Sequence, residues 1–168
     1  MTPLQQTLRT PLGRLDESNA AQDPPVVLTD TEVLAAILSD PNQWRPVPAN
    51  RVAAWLGEAG RIKKIKAFAA VDLPDQTPVE IKAAQAGVEA MLLSLSVPGA
   101  ELDLTPGRNE RTLAEGLTQI PVDASDQSKG TILSAADLDA LLARGLRSLP
   151  GLPVESDIAA ARQANARV

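Results

Sequence analysis

Apolar residues return every three or four positions in several stretches of this chain, and proline or glycine separates most of these stretches. That period marks amphipathic helices. The first is prefaced by Thr29-Asp30-Thr31-Glu32, a capping-box order in which the threonine hydroxyl takes a first-turn N–H and the glutamate reaches back. Val33, Leu34, Ile37 and Leu38 follow at helical spacing. Pro41 should stop the helix near Ser39, because the residue before a proline avoids helical dihedrals. The stretch DPNQWRPVPANR reads as a loop around Trp44. A second short helix is expected over 49–58, with Val52, Trp55 and Leu56 on one face and Gly57 and Gly60 at its end, where a left-handed cap is needed. RIKKIKAFAA then predicts a basic amphipathic helix, with Ile62, Ile65 and Phe68 or Ala69 on its apolar side.

The longest periodic stretch begins at Thr77-Pro78-Val79-Glu80, which combines an N-cap, a proline at the first helical position and a second capping box. Ile81, Ala84, Val88, Met91, Leu92 and Leu95 make its stripe, Pro98-Gly99 ends it, and it is expected to be the centre of the core. Thr105-Pro106 repeats the cap-and-proline start of a helix that carries Leu113, Leu117 and Ile120 as far as Pro121. The polar segment PVDASDQSKGTI predicts a turn or a short hairpin-like excursion at Lys129-Gly130. Ser134-Ala135-Ala136-Asp137 is a further capping box ahead of Leu138, Leu141 and Leu142, and Gly145 or Pro150 closes that helix. Residues 1–28 carry Pro3, Pro11, Gly13, Pro24 and Pro25 without a sustained period and read as an extended arm. The expected architecture is mostly α: an arm at 1–28, a small multi-helix domain at 29–149, and a flexible C-terminal tail at 150–168, a terminal helix or docking segment.

Composition narrows what such a chain does. It has no histidine, cysteine or tyrosine, one phenylalanine (Phe68) and two tryptophans (Trp44 and Trp55). The usual general acid–base side chain, the usual thiol nucleophile and the favoured zinc ligands are missing. Little aromatic surface is left for stacking on bases, sugars or flat cofactors. The core must be aliphatic. A net charge of −5 argues against nucleic acid binding over the whole surface, which needs a basic face. No apolar run approaches the roughly 20 residues that span a bilayer. The opening MTPLQQTLRTPLGRLDE is too polar for a secretory signal, so a soluble intracellular origin is the expectation.

Each candidate for chemistry has a plainer role. Ser128 beside Lys129 lacks the further partners of a nucleophile and fits a solvated turn. Asp137 and Asp139 stand two apart on a helix and face different sides. Glu101 and Asp103 would share a face if extended, but no aromatic cluster accompanies them to hold a sugar. Asp123, Ser125, Asp126 and Ser128 offer oxygens, but they lack the alternation of a calcium loop and have Lys129 beside them. Gly57-Glu58-Ala59-Gly60 matches a bare GxxG pattern that helix capping explains. No catalytic, cofactor or metal site is therefore expected.

Two contact features remain. Arg51, Arg61, Lys63, Lys64 and Lys66 stand against Glu58 alone, a local charge of +4. Arg61, Lys63, Lys64 and Lys66 are candidates for meeting an acidic partner or a nucleic acid backbone, although a solvated helix face also accounts for them. Trp44, in its proline-rich loop, either anchors a subunit contact or folds over its own domain. Trp55, on an apolar face, belongs in the core.

The order of segments resembles small helical structural proteins of tailed bacteriophages. Thr10-Pro11-Leu12-Gly13 in the arm, Leu28-Thr29-Asp30-Thr31-Glu32-Val33, the Trp44 loop leading into Val52-Ala53-Ala54-Trp55-Leu56, the apolar helix at 78–96 and the closing run Leu133 to Leu142 carry it across residues 7–146. Gly13-Arg14-Leu15-Asp16 lacks the aromatic residue of the glycine–tyrosine turn found in such proteins, and the 121–132 excursion has the look of an insertion. The resemblance implies a virion component of the head–tail junction or tail, made in the bacterial host cytoplasm. Its partners would be copies of itself and neighbouring virion proteins, with packaged DNA nearby and no membrane.

Overall fold

The structure, a computed structural model, describes residues 5, 28–123, 127–146 and 152–166. The expected arm therefore lies outside the described residues apart from Gln5 and Leu28. The described chain is mostly helical, as the apolar period predicts. Its helices are α1 (Asp30–Ser39), α2 (Ala49–Gly57), α3 (Arg61–Ala70), α4 (Val79–Leu95), α5 (Asn109–Leu117), α6 (Ala135–Gly145) and α7 (Glu155–Ala166). Two compact units share them: Arg45–Gly145 forms one, and the chain up to Trp44 with the chain from Leu146 onward forms the other. The stretch expected as one domain over 29–149 is thus divided between the two units.

The unit built from the outer parts of the chain centres on α1 and α7, which pack together. The capping box at α1 forms as predicted. Glu32 N–H donates to Thr29 Oγ1 at 3.3 Å, and Thr29 N–H donates to Glu32 Oε2 at 2.7 Å. The Glu32 carboxylate accepts from Thr29 N–H and also, at 2.9 Å, from the Thr29 hydroxyl, and these two hydrogen bonds hold it below its ordinary pKa. Val33 and Ile37 of α1 are buried, as are Ile158 and Ala161 of α7, so residues 155–166 form a packed helix. Trp44 is 2% exposed and makes a bridge with Leu146.

The Arg45–Gly145 unit holds the larger core, with Trp55, Ile65, Leu104, Leu117, Leu133 and Leu141 among its fully buried side chains. Helix α2 packs on α3 and α6, α3 on α4, and α4 on α5. A two-residue antiparallel ladder joins β1 (Val47–Pro48) to β2 (Glu101–Leu102), with Val47 opposite Leu102. Two residues per strand are too few to show an alternating pattern, so the sequence carries no sign of it. Val122 N–H donates to the Gly130 carbonyl at 2.9 Å and Ile132 N–H to that of Ile120 at 2.8 Å, which makes the hairpin-like excursion expected around Lys129-Gly130.

Three expectations are corrected here. The capping box at Thr77–Glu80 does not form: Pro78 is the N-cap of α4 and no side chain caps it. Thr77 N–H instead closes a turn onto the Pro74 carbonyl at 2.9 Å. The helix expected to be capped by Thr105 and to start at Pro106 starts three residues later, at Asn109, with Arg108 as its N-cap. Arg108 N–H bonds to the Thr105 carbonyl at 3.1 Å and Gly107 has φ +83°. Proline followed by a glycine with positive φ makes a type II turn, which excludes a helix start. Finally, α4 is not the centre of the core. Only its Val88 is buried, whereas Leu93 is 71% and Val79 76% exposed. Its stripe covers neighbours on one side and leaves a groove on another.

Candidate functional site

Helix α3 separates two kinds of positive charge. Arg61, at its first position, is withdrawn from solvent, its side chain 11% exposed. Gly60, with φ +71°, turns the chain so that α3 starts with Arg61 facing α6. Arg61 Nε donates to Asp137 Oδ1 at 2.6 Å, and its Nη1 donates to the Trp55 carbonyl at 2.8 Å and to Glu58 Oε2 at 3.0 Å. The guanidinium also lies over the Trp55 ring, 5.3 Å from its centroid. Asp137 completes the capping box of α6: its N–H donates to Ser134 Oγ at 3.1 Å, and it accepts from that hydroxyl at 2.8 Å. Burial pushes the Asp137 carboxyl up, but the hydrogen bonds from Arg61 and Ser134 and the charge of Arg61 outweigh it and hold it below its ordinary pKa. Glu58 is lowered too, by its hydrogen bond from Arg61 and by Arg144, whose Nη2 donates to it at 2.9 Å. The arginine predicted as a partner contact therefore ties α3 to α2 and α6.

Lys63, Lys64 and Lys66 are different. All three are exposed, and none makes an ion pair or side-chain hydrogen bond among the described residues. Ile65 and Phe68 turn inward from the same helix. Lys63, Lys66, Ala67 and Ala70 follow the i, i+3, i+4, i+7 order and form one outward stripe.

A second surface, which sequence reasoning missed, lies between α4 and α5. A groove of about 730 Å³ is floored by Ala83, Gly87 and Ala90 of α4 and walled by Leu102, Leu113 and Gly116. The helices approach closely there: a Cβ at Gly87 would stand 3.1 Å from Leu113 Cδ1. Glu80, Glu101 and Glu110 line the groove as well. None of the three makes an ion pair among the described residues, while the nearby cations Arg108 and Arg111 are taken by Asp103 at 3.1 Å and Glu115 at 2.7 Å. The run of small residues along α4 was the available signal, but in sequence it reads as part of a helix interior.

The chain matches no protein-family model, no curated protein and no solved structure.

The remaining sequence candidates fall into structural roles. Trp44 donates its Nε1–H to the Leu38 carbonyl at 3.0 Å and is 2% exposed. Asp103 accepts from Thr105 N–H at 3.0 Å, and hydrogen bonding to Thr105 holds its carboxyl below the ordinary value against the effect of burial. Lys129 pairs with Asp123 at 2.7 Å across the excursion. Ser125 and Asp126 lie outside the described residues. No helix among the described residues is long and apolar enough to cross a membrane.

Proposed function

We propose that this protein is a non-enzymatic structural component of a tailed phage particle, at the head–tail junction or in the tail, assembling as repeated copies through helix packing and arm contacts. The observation that carries this reading is the division of charge just described. Arg61 and Asp137, with side chains 11% and 15% exposed, hold helices together, while Lys63, Lys64 and Lys66 are exposed and make no ion pair among the described residues. A protein that works by contact leaves charge free in this way and needs no activated nucleophile or base. The segments that carry the phage resemblance support it further: Leu28–Val33 opens α1, Val52–Leu56 lies in α2, and Leu133–Leu142 leads into α6. Mass spectrometry of purified particles should find the chain as a stoichiometric component, and deleting its gene should leave unjoined heads and tails or aberrant tails. Intact infectious particles from the deletion strain would sink the proposal.

A second reading, an adaptor that binds one protein partner through the basic helix 61–70, is favoured by the same exposed lysines. Changing Lys63, Lys64 and Lys66 to glutamate separates the two. An adaptor would lose one binary interaction with particle assembly unaffected.

A further inference from the structure

The basic stripe of α3 and the groove between α4 and α5 are complementary. The stripe presents Lys63 and Lys66 beside the small side chains of Ala67 and Ala70. The groove presents a small-residue floor and three glutamates, Glu80, Glu101 and Glu110, that make no ion pair among the described residues. The exposed floor residues Ala83 and Ala90 let a helix approach closely, and the two sets of charges carry opposite sign and make no ion pairs among the described residues. On α4 the groove-lining Ala83 and Gly87 each stand two positions from Gln85, whose Nε2 donates to the Phe68 carbonyl of the chain's own α3 at 2.9 Å. Residues two apart face different sides of a helix, so the groove opens away from the α3 of the same chain.

We propose that the groove of one copy receives the α3 stripe of a second copy, with Lys63 and Lys66 against the rim glutamates and Ala67 and Ala70 on the floor. This names the contact through which the repeated copies of the proposed function would meet, and it rests on that reading. The interface uses two different patches, so it is heterologous: each copy still offers a free stripe at one end and a free groove at the other. Such a contact closes into a ring or continues as a filament, according to the rotation between copies. Because solvent-accessible charges set its register, it weakens as salt rises.

Sedimentation of the purified full chain tests it. The wild type should self-associate at low ionic strength and dissociate as salt is added. K63E/K66E and E80K/E110K should each weaken self-association by about tenfold or more. An equimolar mixture of the two variants should restore it, because each stripe then meets a groove of opposite charge. Restoration also shows that neither variant is merely misfolded. A wild type that stays monomeric at low salt overturns the proposal. Loss of association on lysine reversal but not on glutamate reversal overturns it too, and would send the lysines to another acidic surface or to nucleic acid. So does failure of the mixture to reassociate. The virion reading is judged separately on purified particles, so either idea can fail without the other.

Discussion

Each of the two units of this protein is braced internally by charge, and in a different way. In the Arg45–Gly145 unit, Arg61 and Asp137 meet at 2.6 Å with side chains 11% and 15% exposed, and the Arg61 guanidinium lies over the ring of Trp55. In the unit of α1 and α7, Arg162 reaches Asp30 at 2.8 Å and the Leu28 carbonyl at 3.0 Å, but the two side chains are 24% and 36% exposed. Thr31 and Glu155 add an exposed hydrogen bond of 2.8 Å. A hydrogen-bonded pair shielded from water costs much more to break than one that water can replace. The first unit is therefore expected to be the stable body of the described chain and the second to open more readily.

The strongest challenge to that contrast is Trp55→Ala. It removes the largest fully buried side chain and the surface under Arg61, and should cost about 3–5 kcal/mol in denaturant unfolding. Next is Arg61→Ala, which leaves Asp137 without its cation and should cost about 3 kcal/mol. A loss no larger than that of an exposed arginine would show that the network is not shielded. Arg162→Ala should cost about 1 kcal/mol or less, and its effect should appear in amide exchange of α1 and α7 while α2 and α6 stay protected.

Acid sharpens the contrast through Asp137. Its carboxyl is lowered in the folded protein, so the stabilisation is complete above the ordinary aspartate value of about 3.9 and fades as pH falls through the lower folded value. Unfolding midpoints of the wild type should drop over that range more steeply than those of Asp137→Asn. The smallest effect is expected for the triple change of Lys63, Lys64 and Lys66 to alanine, which should leave the midpoint unchanged while altering association.

The period of the apolar residues made most of the helices legible, because burial of one face decides each helix and leaves its mark at every third or fourth position. Caps were legible where they close locally, as at Thr29–Glu32 and Ser134–Asp137. They misled where a competing local geometry won. Pro106-Gly107 makes a turn, and Thr77 closes onto Pro74. Arg61 could not be told from its lysine neighbours by sequence, since its difference lies in Asp137, 76 positions away. The groove was hidden for the same reason: its floor comes from α4 and its walls from β2 and α5, and only their packing creates it.

The placement of the tryptophans gives the molecule a built-in optical handle. There is no tyrosine, so Trp44 and Trp55 together supply its near-ultraviolet emission, and each belongs to a different unit. Both indoles are almost wholly shielded, 2% and 1% exposed, and each should shift to longer wavelength when its own unit opens. Replacing Trp55 with phenylalanine leaves a lamp on the α1–α7 unit alone, and replacing Trp44 leaves one on the body. The order in which the units melt can then be watched by fluorescence, without attaching a label.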